Sequence, residues 1–272
     1  EKFPQHTYYY IMGMDQANKF HLWKNAKELS ELVQLVAFQR GGYQVCSDNL
    51  KKYHFKLLHN EPIYSSSSEV RKGHIEMLDK NVLRYITKEG LYLETIVSSR
   101  MGEKRWKHTC SVAKLAKDIA LSNNLDGKQA YIAGMFHDIA KEMDLDESKN
   151  IMERYFPMYV NKPIAIWHQW ISRYISEKEY LIDDPVVLQA IENHTTASID
   201  ISQIGKCVYV ADKLDPLRGY DSSKQIEICK KDIDRGFIDA LDDFYQFSKS
   251  KQRKIDESFN DIYKYFVLKG EK

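Results

Sequence analysis

The stretch IAGMFHDIAKEM, Ile132 to Met143, is an apolar run of helical period, yet His137 and Asp138 stand side by side in its middle. Other polar residues with ligand chemistry recur through the same part of the chain, each in or beside an apolar stretch. They are His108 in RWKHT, His168 in AIWHQW, His194 in AIENHTT and Asp212 in YVADKLDP. Imidazole and carboxylate suit iron, manganese or zinc, and the lack of a thiolate argues against a structural zinc knuckle. The six residues are about what two ions need when water and substrate oxygens complete the shells. Taken singly, a histidine on an apolar face is more often a hydrogen-bonded core residue than a ligand. A buried aspartate asks for a strong partner, and the whole set in one helical region is hard to ascribe to coincidence.

On a helix, neighbouring residues point about 100° apart, so His137 and Asp138 can meet one ion from adjacent directions, or the aspartate can bridge to a second. Lys141 follows on the same helix face. It is placed for a phosphate oxygen beside a metal, or else is a solvated charge near a helix end. Arg105, three residues before His108, poses the same choice. Gly134, lacking a side chain, makes room on that face for a close neighbouring helix.

Residues so far apart in sequence meet only if several elements converge. A chain of 272 residues is long enough for one or two domains with a sizeable core. With 40 basic and 39 acidic residues it lacks the one-sided field of a dedicated nucleic-acid binder, and no nucleic-acid partner is expected. Cys46, Cys110, Cys207 and Cys229 form no CxxC pair, which fits a reducing cytoplasm rather than a disulfide scaffold. No apolar run approaches the roughly 18 to 20 residues of a membrane span, so no membrane partner is expected, and EKFPQHTYYYIMG lacks a signal-peptide layout. The chain opens on Glu1 and soon enters the β-rich run TYYYIM, from which we expect that an upstream segment precedes it.

The expected fold class is α+β: an all-helical bundle over 92–272, preceded by a partial α/β segment over 1–91. Thr7 to Met12 reads as a buried strand. Asn25 is placed to cap a helix over AKELSELVQLVAF, although LVQLVAFQR can instead be a second strand closed by Gly41-Gly42. A helix is expected over Asp79 to Lys88, ending at Gly90. Seven more follow: Leu93 to Met101, Trp106 to Asn123, Gly127 to Lys141, Asp146 to Tyr155, Pro163 to Glu177, Asp184 to Asn193 and Ser202 to Asp212. Two longer ones are expected near Ser222 to Phe247 and Gln252 to Lys269. Asp126 and Asp183-Asp184-Pro185 supply start signals.

The blocks RWKHTCSVAKLAKDIA, AYIAGMFHDIAKEM, VLQAIENHTTAS and VYVADKLDPLRG, in this order, resemble the HD superfamily of metal-dependent phosphohydrolases. They are most similar to its branch of symmetrical diadenosine tetraphosphate hydrolases. The resemblance implies that His108, His137, Asp138 and Asp212 hold one metal, usually iron with manganese as the alternative. His168 and His194 would complete a second position or touch the phosphates, giving two divalent or mixed-valent ions. Asp138, Lys141, His168 and His194 would be the catalytic residues, and Arg105, Lys141, Thr195 and Arg218 match nucleotide contacts. The implied reaction is attack by a metal-bound hydroxide to give two ADP. The Ala-Arg-Asn step of the family stands here as Ser258-Phe259-Asn260, without its arginine. Guanosine tetraphosphate hydrolases carry an acidic pair where Lys141-Glu142 stand, and the second block of the GYP-type cyclic dinucleotide phosphodiesterases is absent. Two alternatives stay open: hydrolysis of another nucleotide, or a nucleotide-binding regulator without turnover. A homodimer is also open.

YYYIMGMDQANKFHLWKNAKELSELVQLVAFQR and SSSSEVRKG resemble the later part of bacterial nicotinate-nucleotide adenylyltransferase, with Gly13, Asp15 and Trp23 in its Gly-x-Asp and Trp-Lys positions and Arg71 in its Ser-Ser-Thr-x-Ile-Arg signature. That family's phosphate-gripping histidine motif has no counterpart in the sequence, so no adenylyl transfer is expected of it. The resemblance implies a transferase-like remnant fused to the hydrolase.

Overall fold

The computed structural model describes residues 5–268 apart from 46, 65, 253, 254 and 256. Ser65 of the serine run, and Arg253, Lys254, Asp256 and Lys269 of the expected last helix, lie outside the described residues. By its contacts the chain divides into two units, Glu1–Ser66 and Ser67–Lys272.

In the first unit β1 (Tyr9–Gly13), β2 (Gln34–Arg40) and β3 (Lys56–Ile63) form a parallel sheet in the order β1-β2-β3. The helices α1 (Met14–Ala17), α2 (Ala26–Leu32) and α3 (Ser47–Lys52) lie between them in sequence. Phe20 anchors the core, its ring 5.1 Å from Tyr53 and 5.3 Å from both Trp23 and Phe55. Helix α2 stops at Leu32, and LVQLVAFQR is mostly strand. A β-branched and aromatic run pairs better between two parallel strands than it continues a helix. Asn25 precedes α2 but sits at φ 60° and makes no side-chain cap. β1 is not the buried strand expected: Tyr9, Tyr10 and Ile11 are 57, 41 and 61% exposed, and only Met12 and Gly13 enter the core. It pairs on one side alone within the described sheet.

The second unit is helical: α4 (Ser67–Arg71), α5 (Lys80–Glu89), α6 (Leu93–Ser98), α7 (Glu103–Ser122), α8 (Gly127–Phe136), α9 (Leu145–Tyr155), α10 (Trp167–Lys178), α11 (Pro185–Asn193), α12 (Gln203–Leu214), α13 (Ser223–Lys231), α14 (Ile233–Ser250) and α15 (Glu257–Tyr263). Aspartates open α5, α8, α9 and α11 by accepting first-turn N–H groups, and Ser202 does so for α12. Ala130, Ala133, Met135 and Phe136 of α8 and the run from Cys207 to Ala211 of α12 are wholly buried at its centre. The division at Ser66 comes earlier than the boundary expected at residue 91. The reason is packing, since Ile86 of α5, with Ile75 and Leu78 before it, joins the helical core. The helix expected over Ser222 to Phe247 is two, broken where Asp232 takes φ −155° and caps α14 through Arg235 N–H. No helix among the described residues is long and apolar enough to cross a membrane.

Two features of α8 position the polar doublet. The helix ends at Phe136, and His137 to Lys141 continue as tight turns closed by Ile139 N–H to the Phe136 carbonyl and Lys141 N–H to the Asp138 carbonyl. Gly134 lets α7 approach, because a Cβ there would stand 2.6 Å from the Ala113 Cα. Backbone cannot yield as a side-chain tip does, so Gly134→Ala is expected to cost about 1–3 kcal/mol in chemical denaturation. A loss below about 0.5 kcal/mol, the size of a neutral surface change, would contradict that close approach.

Candidate metal centre

Helix ends gather the polar residues. His108 projects from the second turn of α7, His137 and Asp138 follow α8, His168 opens α10, His194 follows α11, and Asp212 lies in the last turn of α12. His137 Nδ1 is 2.6 Å from the Gly134 carbonyl and His194 Nδ1 2.7 Å from that of Ile191. A carbonyl only accepts, so each Nδ1 carries the proton and Nε2 is left as a ligand atom.

Those Nε2 atoms surround one carboxylate. Asp138 Oδ2 lies 3.5 Å from His137 Nε2 and 3.8 Å from His108 Nε2, while Oδ1 lies 3.3 Å from His168 Nε2 and 3.5 Å from His194 Nε2. Two donor sets thus share Asp138: His108, His137 and Asp138, then Asp138, His168 and His194. Asp212 joins the first, its Oδ1 3.2 Å from His108 Nε2. Within hydrogen-bonding geometry, His108 Nε2 and His137 Nε2 are buried without a partner. Unpaired buried acceptors are costly, and a divalent cation satisfies both, so the donor set fits a metal centre.

The charge states agree with that use. Burial pushes the Asp138 carboxyl up, but His137 and His194 more than offset it and hold its pKa well below the usual carboxylate range. Burial likewise opposes Asp212, and Lys213 and His108 bring it well below that range. Burial lowers His194, and burial together with the His194 charge lowers His168 well below 6.5. His137 is lowered by burial and raised on balance by Asp138. The carboxylates are therefore ionised while His168 and His194 are neutral near pH 7, the forms that bind metal.

Cations rim the cluster. Arg105 Nη1 donates to Asp138 Oδ2 at 2.6 Å, Arg218 Nη2 to Asp212 Oδ1 at 2.5 Å, and Lys213 Nζ to Asp212 Oδ2 at 3.0 Å. Lys141 turns to the other side, with Nζ 3.2 Å from a ring nitrogen of His168. Thr195 Oγ1 lies 2.9 Å from His194 Nε2 and 3.1 Å from His168 Nε2. All the residues expected in the metal and nucleotide sites therefore meet in one place. Phe259 does not, being a core residue edge-on to Phe244.

Asp215 escaped the sequence reading. It is wholly buried, accepts from Ser111 Oγ at 2.5 Å, and its Oδ2 meets His108 Nδ1 at 2.6 Å, which turns His108 Nε2 toward Asp138 and Asp212. Its sequence signal, an aspartate before Pro216, is that of an ordinary turn, and it does accept the Leu217 N–H. Such carboxylate partners of ligating histidines typically carry about 10–100-fold in metal affinity. Asp215→Ala is expected to weaken manganese binding by that factor in calorimetric titration. Unchanged affinity would show that His108 needs no such support.

In the first unit Asp15 pairs with Arg40 at 3.0 Å, beside a cavity of about 280 Å³ that Met14 and Arg40 help to line. Gly13 lies against Asp15, whose Oδ1 a Cβ there would meet at 2.6 Å. Trp23 packs edge-on to Tyr10 at 6.0 Å. Arg71 is exposed at the end of α4 and belongs to the second unit.

The bundle and its shared-aspartate cluster define an HD-domain protein, and the HD domain family matches residues 105–217. The chain is 30% identical over 245 residues to a Mycoplasma pneumoniae protein described as "Probable nicotinate-nucleotide adenylyltransferase/Ap4A hydrolase", covering 86% of this chain and 70% of that one. It belongs to the family of these two-part HD-domain proteins. A symmetrical bis(5'-nucleosyl)-tetraphosphatase of Bacillus subtilis is 28% identical, over 58% of this chain and 87% of its own length. A Clostridium acetobutylicum crystal structure described as "predicted HD superfamily hydrolase involved in NAD metabolism" superposes with a TM-score of 0.59 at 26% identity, over 65% of this chain and 96% of its own.

Proposed function

We propose that the helical unit hydrolyses diadenosine tetraphosphate to two ADP. The observation that carries this is the sharing of Asp138, one oxygen facing His108 and His137 and the other facing His168 and His194. His108, His137, Asp138 and Asp212 would hold one divalent ion, and His168 and His194 with Asp138 the second. The imidazole and carboxylate set suits iron, manganese or zinc, and the resemblance to the hydrolase family favours iron, with manganese as the alternative. Bound there, the ions supply an ionised water near neutral pH and polarise phosphoryl oxygens. The chain's own part is positioning and charge. Arg105 and Arg218 lie against the ligand carboxylates, where they can also receive oxygens of the reacting phosphate, and Lys141 and Thr195 do the same beside His168. Preorganised cations of this kind stabilise the charge that grows on phosphoryl transfer. The relatives named for tetraphosphate hydrolysis support the choice of substrate. Cys110, Cys207 and Cys229 are free thiols, which supports a cytoplasmic setting.

The test is incubation of the iron- or manganese-loaded protein with diadenosine tetraphosphate and separation of the products. Two ADP is the expected result. AMP with ATP would overturn symmetrical cleavage, and binding without products would favour a regulatory domain.

A further inference from the structure

A cavity of about 570 Å³ opens beside the metal centre, lined by Lys104, Arg105, Lys107 and His108 of α7 and by Leu217 and Arg218 of the turn after α12. Its size lies within the range of small-ligand pockets, roughly 300–1,000 Å³. Two of its cations already have work at the centre, since Arg105 reaches Asp138 and Arg218 reaches Asp212. Lys104 and Lys107 do not. Lys104 stands four residues before His108 and three before Lys107, so all three share a helix face. Lys107 meets Glu103 at 2.6 Å, but both side chains are largely exposed, and a solvated pair of this kind is readily exchanged for a phosphate. The two carboxylates in the wall are committed elsewhere. Asp215 holds His108 and Ser111, and Glu142 accepts the Gly102 N–H at 2.7 Å. Leu217, an apolar side chain 61% exposed, stands in this charged wall.

Resting on the reading of the centre as a nucleotide hydrolase, we infer that this cavity holds one nucleoside diphosphate half of the substrate, its phosphates against Lys104 and Lys107 and its base on Leu217. The cavity lies on the His108 side of Asp138, whereas Lys141 and Thr195 stand on the His168 and His194 side. A tetraphosphate laid across Asp138 then has cations on both flanks of its middle bond. The lysine bank and the leucine make separable contributions. Phosphate contacts serve any diphosphate, and the apolar platform serves only one that carries a base.

The test is calorimetric titration of the manganese-loaded full chain with ADP and with pyrophosphate, at saturating manganese. The Lys104→Gln/Lys107→Gln double variant is expected to weaken both ligands by about tenfold, two charge-assisted contacts being lost at an exposed site. Leu217→Ser is expected to weaken ADP by about fivefold and to leave pyrophosphate as it was, which removes the preference for a base. Unchanged ADP affinity in the lysine variant overturns the phosphate assignment. Equal loss of both ligands, or loss of neither, in Leu217→Ser overturns the base platform. The enzymatic reading fails separately: a wild-type protein that binds ADP with these dependences but forms no ADP from diadenosine tetraphosphate refutes the hydrolase and supports the pocket.

Discussion

Asp138→Ala is expected to lower turnover of diadenosine tetraphosphate by about a thousandfold or more and to leave the protein with little bound metal. The effect exceeds that of losing one ligand because Asp138 serves both donor sets, Oδ2 with His108 and His137 and Oδ1 with His168 and His194. Its removal leaves two imidazoles alone to hold the cation at the second position, with no anion to balance the charge. Asp138→Asn separates charge from shape, because the amide keeps the volume but offers only one oxygen. It is expected to lose nearly as much activity as alanine. Asp212→Ala touches only the first set through its 3.2 Å approach to His108, so about half the metal should remain. Elemental analysis of the purified variants, beside their rates, checks the whole pattern. An Asp138→Ala protein that kept full metal and near-normal turnover would mean the chemistry lies elsewhere.

Much of this centre was legible because the ligands break the pattern around them. His137 and Asp138 interrupt an apolar helical run, and a buried aspartate asks for a strong partner. Two of the local start signals held, being set by neighbours in sequence: Asp126 and Asp184 each cap the helix they precede, whereas Asn25 makes no side-chain cap. What was hidden depends on partners far away in the chain. Asp215 looks like a turn residue until α7 brings His108 and Ser111 onto it. The end of α8 at Phe136 has no glycine or proline to mark it, and the 3.2 Å approach of Lys141 to His168 joins residues 27 apart in the chain. The burial of β1 was misjudged because aromatic and β-branched residues report strand propensity and not the number of neighbouring strands. In sequence α5 reads as one more helix, and only its packing says which core it joins.

Stripping the metals from the full chain is expected to lower the melting temperature of the helical unit by about 10 °C at pH 7.5. Ligands present at about a thousand times their dissociation constant stabilise by roughly 4 kcal/mol, and each kcal/mol moves a unit of this size by about 2–4 °C. The stripped protein should also be acid-sensitive in two stages. His168 and His194 have folded pKa values below their ordinary 6.5, so as pH falls through 6.5 the unfolded chain takes up protons that the fold refuses, and stability drops. His137 acts oppositely, its raised pKa adding stability below 6.5 that is lost as pH rises through the folded value, but it is one group against two. Asp138 and Asp212, both held below 3.8, contribute stability that is complete above that value and lost as pH falls beneath it. The loaded protein meets the same protons as competitors for its imidazole ligands. The gap between loaded and stripped melting curves should therefore be widest near pH 7.5 and narrow steadily below pH 6. Melting curves recorded with and without chelator across that interval decide it, and a chelator without effect at pH 7.5 would leave the clustered Nε2 atoms without the cation proposed for them.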